Sequence, residues 1–231
     1  MTQSLVPVVI PEERISVLNQ AGGVVSILSA LGLSGLAGWL GQRKPGWLVL
    51  AGAGLSALAG VLWIFRNPPR SVPQGADLVV APCDGAVVRV NTVLEPRYLR
   101  APAYEVTIQI TPADVQITRA PAAGFVRYRR YQTSNETASG NDTLWFGIHQ
   151  EQGARLLMAW TASTLWHRAP GILDQPITVL ADLEDAVARG QVTGHLPLGG
   201  EVTVYVPVTA QIAVGPGVHV RAGETVLARQ G

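Results

Sequence analysis

The stretch Gly199-Gly-Glu-Val-Thr-Val-Tyr-Val-Pro207 shows the pattern that decides the fold, a short run of β-favouring residues bounded by glycine and proline. Similar runs follow one another from about residue 78 to the C-terminus. Short runs rich in valine, isoleucine, threonine and aromatic residues, broken by glycine or proline, are typical of antiparallel sheets. The predicted strands are Leu78–Val80, Ala86–Thr92, Tyr104–Ile110, Phe125–Tyr131, Thr143–His149, Arg155–Thr161, Ile177–Leu180, Val202–Val208 and Val226–Arg229.

Between these runs the sequence offers little helix. A short helical stretch is predicted near Pro112–Val115 or near Asp182–Ala188. Turns in which a glycine leads into a strand, as in Ala123-Gly124-Phe-Val126, are typical of a barrel-sandwich β fold. Domains of that kind that carry a prosthetic group on a turn lysine are excluded, because the sole lysine is Lys44, outside the β region. We therefore expect a mainly β domain over residues 67–231.

The first third of the chain has a different composition. The protein has 231 residues, of which 48% are hydrophobic and only 14% charged, whereas soluble domains carry roughly a quarter charged residues. The deficit is concentrated before residue 66, where the charged side chains are only Glu12, Glu13, Arg14, Arg43 and Lys44. This uneven distribution predicts two parts, an N-terminal segment over residues 1–66 and the β domain that follows.

Two uncharged tracts, 15–42 and 45–65, lie within this N-terminal segment. Each is long enough for a helix that crosses a bilayer, which needs about 20 apolar residues. Trp39, Trp47 and Trp63 lie near the tract ends, where indole rings favour the membrane interface. The prediction is a transmembrane helical hairpin with helices over about 21–41 and 46–65. A buried or re-entrant hairpin is the alternative, since many glycines and alanines weaken insertion.

Several classes of protein are excluded or disfavoured by composition. The 17 basic and 16 acidic residues give a net charge of +1, so no positive field favours nucleic acid. A single cysteine, Cys83, excludes a disulfide framework. The histidines are spread singly, without the spacing of a zinc site, so no metal is predicted. The dinucleotide, P-loop, metalloprotease and nucleophile-elbow motifs do not occur in the sequence.

The informative motifs lie between residue 64 and the C-terminus. Each combines a charged or polar residue with prolines or glycines at fixed spacing. They are Ile64-Phe-Arg-Asn-Pro-Pro-Arg70 with Val80-Ala-Pro-Cys-Asp-Gly85, then Thr111-Pro-Ala-Asp-Val-Gln-Ile-Thr-Arg-Ala-Pro121, then Gly194-His-Leu-Pro-Leu-Gly-Gly-Glu-Val-Thr-Val-Tyr-Val-Pro207, and finally Val220-Arg-Ala-Gly-Glu-Thr-Val226.

In content and order these motifs resemble those of the phosphatidylserine decarboxylases, and the preceding apolar hairpin suits the short bacterial members of that family. In the family a serine hydroxyl attacks the preceding carbonyl, and the resulting ester eliminates to leave an N-terminal pyruvoyl group. That group forms a Schiff base with the substrate amine and accepts electrons as CO₂ leaves. The serine is paired with an aspartate and a histidine, following the logic of a catalytic triad.

Carried over motif by motif, the aspartate position is Asp84, the histidine position is Gln116 and the serine position is Gly200. Glycine has no hydroxyl, and glutamine accepts no proton near neutral pH. The resemblance therefore predicts that maturation is disabled and that no pyruvoyl cofactor forms from Gly200. Asp84 has a second interpretation, as a residue that only shapes a turn. Cys83 is either a nucleophile or, more simply, a space-filling residue.

The resemblance thus favours a membrane-anchored pseudoenzyme of phospholipid metabolism that binds phospholipid, such as phosphatidylserine, or regulates an active relative. Candidate lipid contacts are Arg119, Arg168 and His195. The expected partners are membrane lipid and either a second copy or an active homologue. The expected location is a bacterial-type inner membrane, with the large domain in the cytoplasm. The alternatives are a working decarboxylase with an atypical site and a purely structural membrane adaptor.

Overall fold

The computed structural model describes residues 22–42, 45–64, 66–137, 139–164 and 176–231. The chain divides into two compact units, a helical hairpin and a β domain that begins at Asn67.

The hairpin consists of helix α1 (Gly22–Gln42) and helix α2 (Pro45–Ile64). They pack in antiparallel fashion, since Gly35 lies against Ala51 and Gly32 lies against Leu55. A Cβ atom at Gly35 would come within 2.8 Å of the Ala51 backbone nitrogen, so the glycine allows the two backbones to approach closely. Pro45 occupies the first position of α2, where its missing N–H costs no helical hydrogen bond.

The prediction that this hairpin spans a membrane is not supported. Within the ranges that the structure describes, no helix is long and apolar enough to cross a bilayer.

The β domain is built from short strands that are all paired in antiparallel fashion. Their bounds are β1 Leu78–Val80, β2 Gly85–Glu95, β3 Ala101–Ile110, β4 Ile117–Arg119, β5 Gly124–Gln132, β6 Thr143–His149, β7 Arg155–Ala162, β8 Thr178–Val179, β9 Ala186–Val187, β10 Val192–His195, β11 Gly200–Pro207, β12 Gln211–Ile212, β13 His219–Val220 and β14 Val226–Arg229. The prediction of a mainly β protein is confirmed.

The strands form three sheets. The largest has eight strands in the order β13-β2-β3-β11-β7-β6-β5-β9 and curls into a half-barrel. Two three-stranded sheets have the orders β1-β14-β12 and β4-β10-β8. One contiguous core joins the sheets, with Val79, Ile108 and Val202 among its fully buried residues. At its centre the rings of Phe146 and Trp160 stack with centroids 5.5 Å apart.

Both predicted helical stretches are wrong, because local side-chain hydrogen bonds close turns there. The Asp114 carboxylate accepts the backbone N–H of Thr111 at 2.8 Å, and the Asp185 carboxylate accepts that of Asp182 at the same distance. Bonds of this kind compete with helix formation. The second stretch also contributes the short strand β9. Strands β4, β9, β10, β12 and β13, each of two to four residues, were not predicted, although β1, β8 and β14 of similar length were.

Candidate functional site

The sheet topology brings the three motif positions to one end of the half-barrel. Asp84 immediately precedes β2, Gln116 follows β3, and Gly200 is the first residue of β11. Because β2, β3 and β11 are antiparallel neighbours, the start of β2, the end of β3 and the start of β11 coincide. Gly200 accordingly pairs with Ile110, the last residue of β3.

Gln116 is a buried clamp across this end of the sheet. Its amide nitrogen donates to the carbonyl oxygens of Thr111 at 2.9 Å and Asp114 at 2.8 Å. Its amide oxygen accepts the backbone N–H of Gly199 at 2.6 Å. A carboxamide can do this because it offers two donor hydrogens and an acceptor oxygen together. Gln116 therefore ties the 111–114 turn to the segment that leads into β11.

That segment holds a tight turn in an unusual backbone conformation. Leu198, Gly199 and Gly200 all have positive φ angles, of 64°, 79° and 142°. A Cβ atom placed on Gly200 would lie 2.2 Å from the carbonyl oxygen of Thr161, far inside contact distance. The Gly200 carbonyl in turn accepts a hydrogen bond from the side-chain amide of Gln109 at 2.9 Å. Position 200 is thus enclosed on a backbone that suits glycine.

The Asp84 carboxylate is directed to other partners than Gln116. One oxygen accepts from the Arg70 guanidinium at 2.6 Å, and the other accepts the Ala222 backbone N–H at 2.7 Å. The Arg70 side chain is only 8% exposed, and Glu224 lies 3.8 Å from it. Asp84 therefore acts here as the counter-charge of a buried arginine and as the cap of the turn at Ala222.

Cys83, beside Asp84, is fully buried. Burial above all, and then the neighbouring carboxylates of Asp84 and Asp114, raise the pKa of its thiol well above the usual value. A thiol that stays protonated is a poor nucleophile. The environment fits the space-filling interpretation of this residue.

Of the candidate lipid contacts, the structure describes Arg119 and His195, and both are engaged within the β domain. Arg119 donates to the Gly190 carbonyl at 2.9 Å and to the Asn67 side-chain oxygen at 2.8 Å. Burial and the nearby Arg70 lower its pKa. Its guanidinium thus serves acceptors within the β domain. Arg168 lies outside the described residues.

His195 lies on β10, opposite Ile117, and is only 3% exposed. Its Nε2 atom is buried and has no hydrogen-bond partner among the described residues. Burial lowers its pKa from 6.5 to about 4. The imidazole is therefore neutral at physiological pH and is enclosed by the protein.

This burial makes the stability of the protein depend on pH. Between about pH 4 and 6.5, His195 is protonated in the unfolded chain and neutral in the folded chain. We expect the free energy of unfolding to fall by about 3 kcal/mol as the pH decreases through this window, and His195 to contribute no slope above it. Urea denaturation of the protein and of a His195→Leu variant at several pH values measures the difference. A His219→Gln variant, altered at an exposed histidine, keeps the slope of the parent; a slope unchanged in His195→Leu would contradict the assignment.

Two residues of this site were not predicted from the sequence. Gln109 bonds the Gly200 carbonyl, and its only sequence signal is a polar residue between Ile108 and Ile110 on a β run. Arg70 donates a hydrogen bond to Asp84. Its position gave a stronger sequence signal, because Arg70 is the last residue of the first motif that carries the resemblance.

Comparison of the sequence with known proteins identifies one family. The family model described as phosphatidylserine decarboxylase matches residues 58–228. A phosphatidylserine decarboxylase proenzyme of Symbiobacterium thermophilum is 36% identical over 77% of this chain and 83% of its own length. The proenzymes of Chlorobaculum tepidum and Salinibacter ruber are 30% and 32% identical, covering 81% and 83% of this chain and 86% and 82% of their own lengths. No solved structure gives a significant match.

The fold is mainly β, and the three motif positions lie at one end of its half-barrel. The sequence matches cover most of the chain. This chain belongs to the phosphatidylserine decarboxylase family.

Proposed function

We propose that this chain is a non-catalytic member of its family that binds membrane phospholipid or regulates a catalytically active relative. The observation that carries the proposal is the glycine at position 200, where the family places the serine from which its prosthetic group is made. A pyruvoyl group is built from the side chain and backbone of that serine, and glycine supplies neither the hydroxyl for ester formation nor the methyl carbon of the product.

The surroundings of Gly200 support the same conclusion. The Thr161 carbonyl occupies the space in which a side chain would begin. The Gln116 amide replaces the family's histidine and is fixed by three hydrogen bonds, so it offers no base to an attacking hydroxyl. The residues present do not fit the pyruvoyl group, and no step of decarboxylation is assigned to this chain.

The phospholipid part of the proposal rests on family membership and on the exposed surface of the hairpin. Its helices expose several large apolar side chains, among them Leu31, Leu33 and Leu40 on α1 and Leu55 and Trp63 on α2. Exposed apolar surface of this kind marks contact with lipid or with protein. The domain would then act at the inner membrane surface, on the cytoplasmic side.

The decisive experiment is an intact-mass measurement on the purified protein. Because position 200 has no hydroxyl, we expect one uncleaved chain of 24.4 kDa that does not react with carbonyl reagents. The Symbiobacterium proenzyme, expressed and treated in parallel, serves as the positive control for cleavage and for the reagent. A chain split before residue 200 with a ketone at its new N-terminus would overturn the proposal, as would release of CO₂ from phosphatidylserine.

Binding of the full chain to phospholipid vesicles then separates a lipid-binding protein from a purely structural adaptor. We expect co-sedimentation with vesicles that contain phosphatidylserine. The proposed role would be overturned if the protein bound neither phospholipid vesicles nor an active relative.

A further inference from the structure

The eight-stranded sheet has an outer surface, opposite the core, that carries aromatic and basic side chains. On β6, Trp145 lies between two core residues, Leu144 and Phe146, and therefore points to this outer surface. Gly147, two residues further on, has the same orientation. The half-buried ring of Trp145 stacks on the ring of Tyr205 from β11, with centroids 6.1 Å apart. The outer surface thus has an aromatic layer against the sheet.

The loop between β2 and β3 lies over this surface and is fixed by a buried carboxylate. Glu95, the last residue of β2, is only 2% exposed. Its carboxylate accepts three successive backbone N–H groups, those of Arg97, Tyr98 and Leu99, at 2.7 to 2.8 Å. Gly147 makes room for the loop, since a Cβ atom there would lie 2.9 Å from the Tyr98 ring. The loop therefore holds Arg97 and Tyr98 in fixed positions on the sheet.

Three arginines lie beside the aromatic rings. The guanidinium carbon of Arg97 is 4.2 Å from the centroid of the Trp145 ring, and that of Arg155 is 5.8 Å from the centroid of the Tyr98 ring. Arg130 on β5 is the cross-strand partner of Trp145, so its side chain starts on the same face, about 5 Å away. We call the surface formed by Arg97, Tyr98, Arg130, Trp145 and Arg155 the arginine face.

The positive charges of the arginine face are not neutralised by acidic side chains. Arg97, Arg130 and Arg155 are exposed, and none of them forms an ion pair with another described residue. By contrast, Arg127 and Arg129, on the same strand as Arg130, each pair with an acidic residue of the segment 182–184. The arginine face therefore has three cations for which an anionic partner would supply the counter-charge.

The arrangement of these cations indicates the kind of partner. Arg97 and Arg130 lie at Trp145, whereas Arg155 pairs with His149, four residues further along β6. At about 3.3 Å per residue, the cations are spread over roughly 13 Å. A layer of phosphate groups can meet all three, whereas a single small anion is better matched to a focused cluster. Tryptophan and tyrosine beside arginine are also the residue types favoured where a protein meets a membrane interface.

We propose that the arginine face binds the surface of an anionic membrane, with its guanidinium groups at the lipid phosphates. This proposal rests on the phospholipid-binding part of the proposed function. It adds the surface through which the β domain meets the lipid, and it specifies that the headgroup layer must carry net negative charge. The arginine face uses none of the residues at Gly200.

Co-sedimentation of the full chain with two kinds of vesicle tests the selection of charge. One kind contains phosphatidylcholine alone, and the other contains phosphatidylcholine with phosphatidylglycerol. Each arginine near an anionic bilayer is worth about fivefold in affinity, so we expect binding about 100-fold tighter to the anionic vesicles at low salt. This preference should disappear at about 1 M salt, which screens the charges. Apolar side chains of the hairpin would bind both vesicles alike, so equal affinity for the two at low salt would overturn the proposal.

Substitutions locate the binding on the arginine face. Arg97→Gln, Arg130→Gln and Arg155→Gln should each weaken binding to the anionic vesicles about fivefold, and the triple variant should lose the preference for them. Arg229→Gln makes the same charge change at an exposed arginine on β14, in another sheet, and should keep the preference. Thermal melting checks that each variant is folded. An unaltered preference in the triple variant, or an equal loss in Arg229→Gln, would overturn the site.

Replacing the same three arginines by lysine separates charge from packing. Lysine keeps the positive charge but lacks the planar guanidinium that lies on the rings. The triple lysine variant should therefore keep most of the preference for anionic vesicles. A loss as large as that of the triple glutamine variant would contradict recognition by charge.

The outcomes also separate this surface from the proposed function and from a protein partner. Vesicle binding that is insensitive to the three substitutions would overturn the arginine face and leave the lipid-binding role intact. Cleavage before residue 200 would overturn the non-catalytic role and leave the arginine face intact. If the triple glutamine variant lost binding to an active relative but not to anionic vesicles, the surface would be a protein interface and the proposal would be overturned.

Discussion

The Gly200→Ser variant is expected to lose about 4 kcal/mol of unfolding free energy and to remain uncleaved. Two costs add. A side chain at a φ of 142° is strained, and the new Cβ meets the Thr161 carbonyl at 2.2 Å, so strand β7 or β11 must shift. Urea denaturation measures the loss, and intact mass reports whether the added hydroxyl cleaves the chain.

Two glycines elsewhere in the β domain separate these costs. Gly140 has a φ of 67° and open space around it, so Gly140→Ser should cost about 1 kcal/mol through backbone strain alone. Gly215 has open space and no positive φ, so Gly215→Ser should be neutral. If Gly200→Ser were as stable as Gly215→Ser, the site would accept a serine; if it cleaved itself, the family's chemistry would need only that one side chain.

Replacing Asp84 by alanine is expected to lower the free energy of unfolding by about 4 kcal/mol. The substitution leaves the Arg70 charge buried, with Glu224 at 3.8 Å as its remaining counter-charge, and removes the acceptor for the Ala222 N–H. The loss is measured by urea denaturation of the full chain. This expected loss of stability does not depend on any catalytic role for Asp84.

Three further variants test this explanation. Asp84→Asn keeps an acceptor for Ala222 but removes the charge, so it should fall between the parent and Asp84→Ala. The double variant Arg70→Met/Asp84→Leu replaces the pair by apolar side chains and should recover most of the loss. Asp182→Ala breaks the exposed pair with Arg129 and should cost less than about 1 kcal/mol. A neutral Asp84→Ala would show that the buried pair does not support the fold.

The long strands were predictable because the alternation of apolar and polar residues in their sequences reflects which side chains are buried. In β3 and β11 the buried apolar residues recur at every second position, as with Val106, Ile108, Val202 and Val204, and this alternation identifies a strand without knowledge of its partner. Strand β10 has four residues and all are buried, so its sequence shows no alternation to detect. The enclosed position of His195 follows from that pairing and could not be predicted.

The resemblance selected Asp84, Gln116 and Gly200, and the topology brings these three positions to one end of the sheet. The bonds that their side chains make could not be predicted. The side-chain partners depend on distant segments. Arg70 reaches Asp84 from fourteen residues earlier, and Gln116 meets Gly199 across 83 residues. A single sequence, read without an alignment, contains no signal for such pairs.

The hairpin was predictable as a pair of helices, because α1 and α2 lie within the two charge-free tracts of the sequence. Its packing was not predictable, since the close approach of Gly35 to Ala51 depends on how the two helices pair. That the hairpin spans a membrane stays a prediction, which the described residues do not support.

The turn at Leu198–Gly200 also restricts how this sequence can change. A serine at position 200 would meet the Thr161 carbonyl, and a histidine at position 116 could not make all three hydrogen bonds of the Gln116 amide. Because Gln116 bonds the residue next to Gly200, a change at either position disturbs the same turn. The turn therefore links the substitutions that these two distant positions can accept.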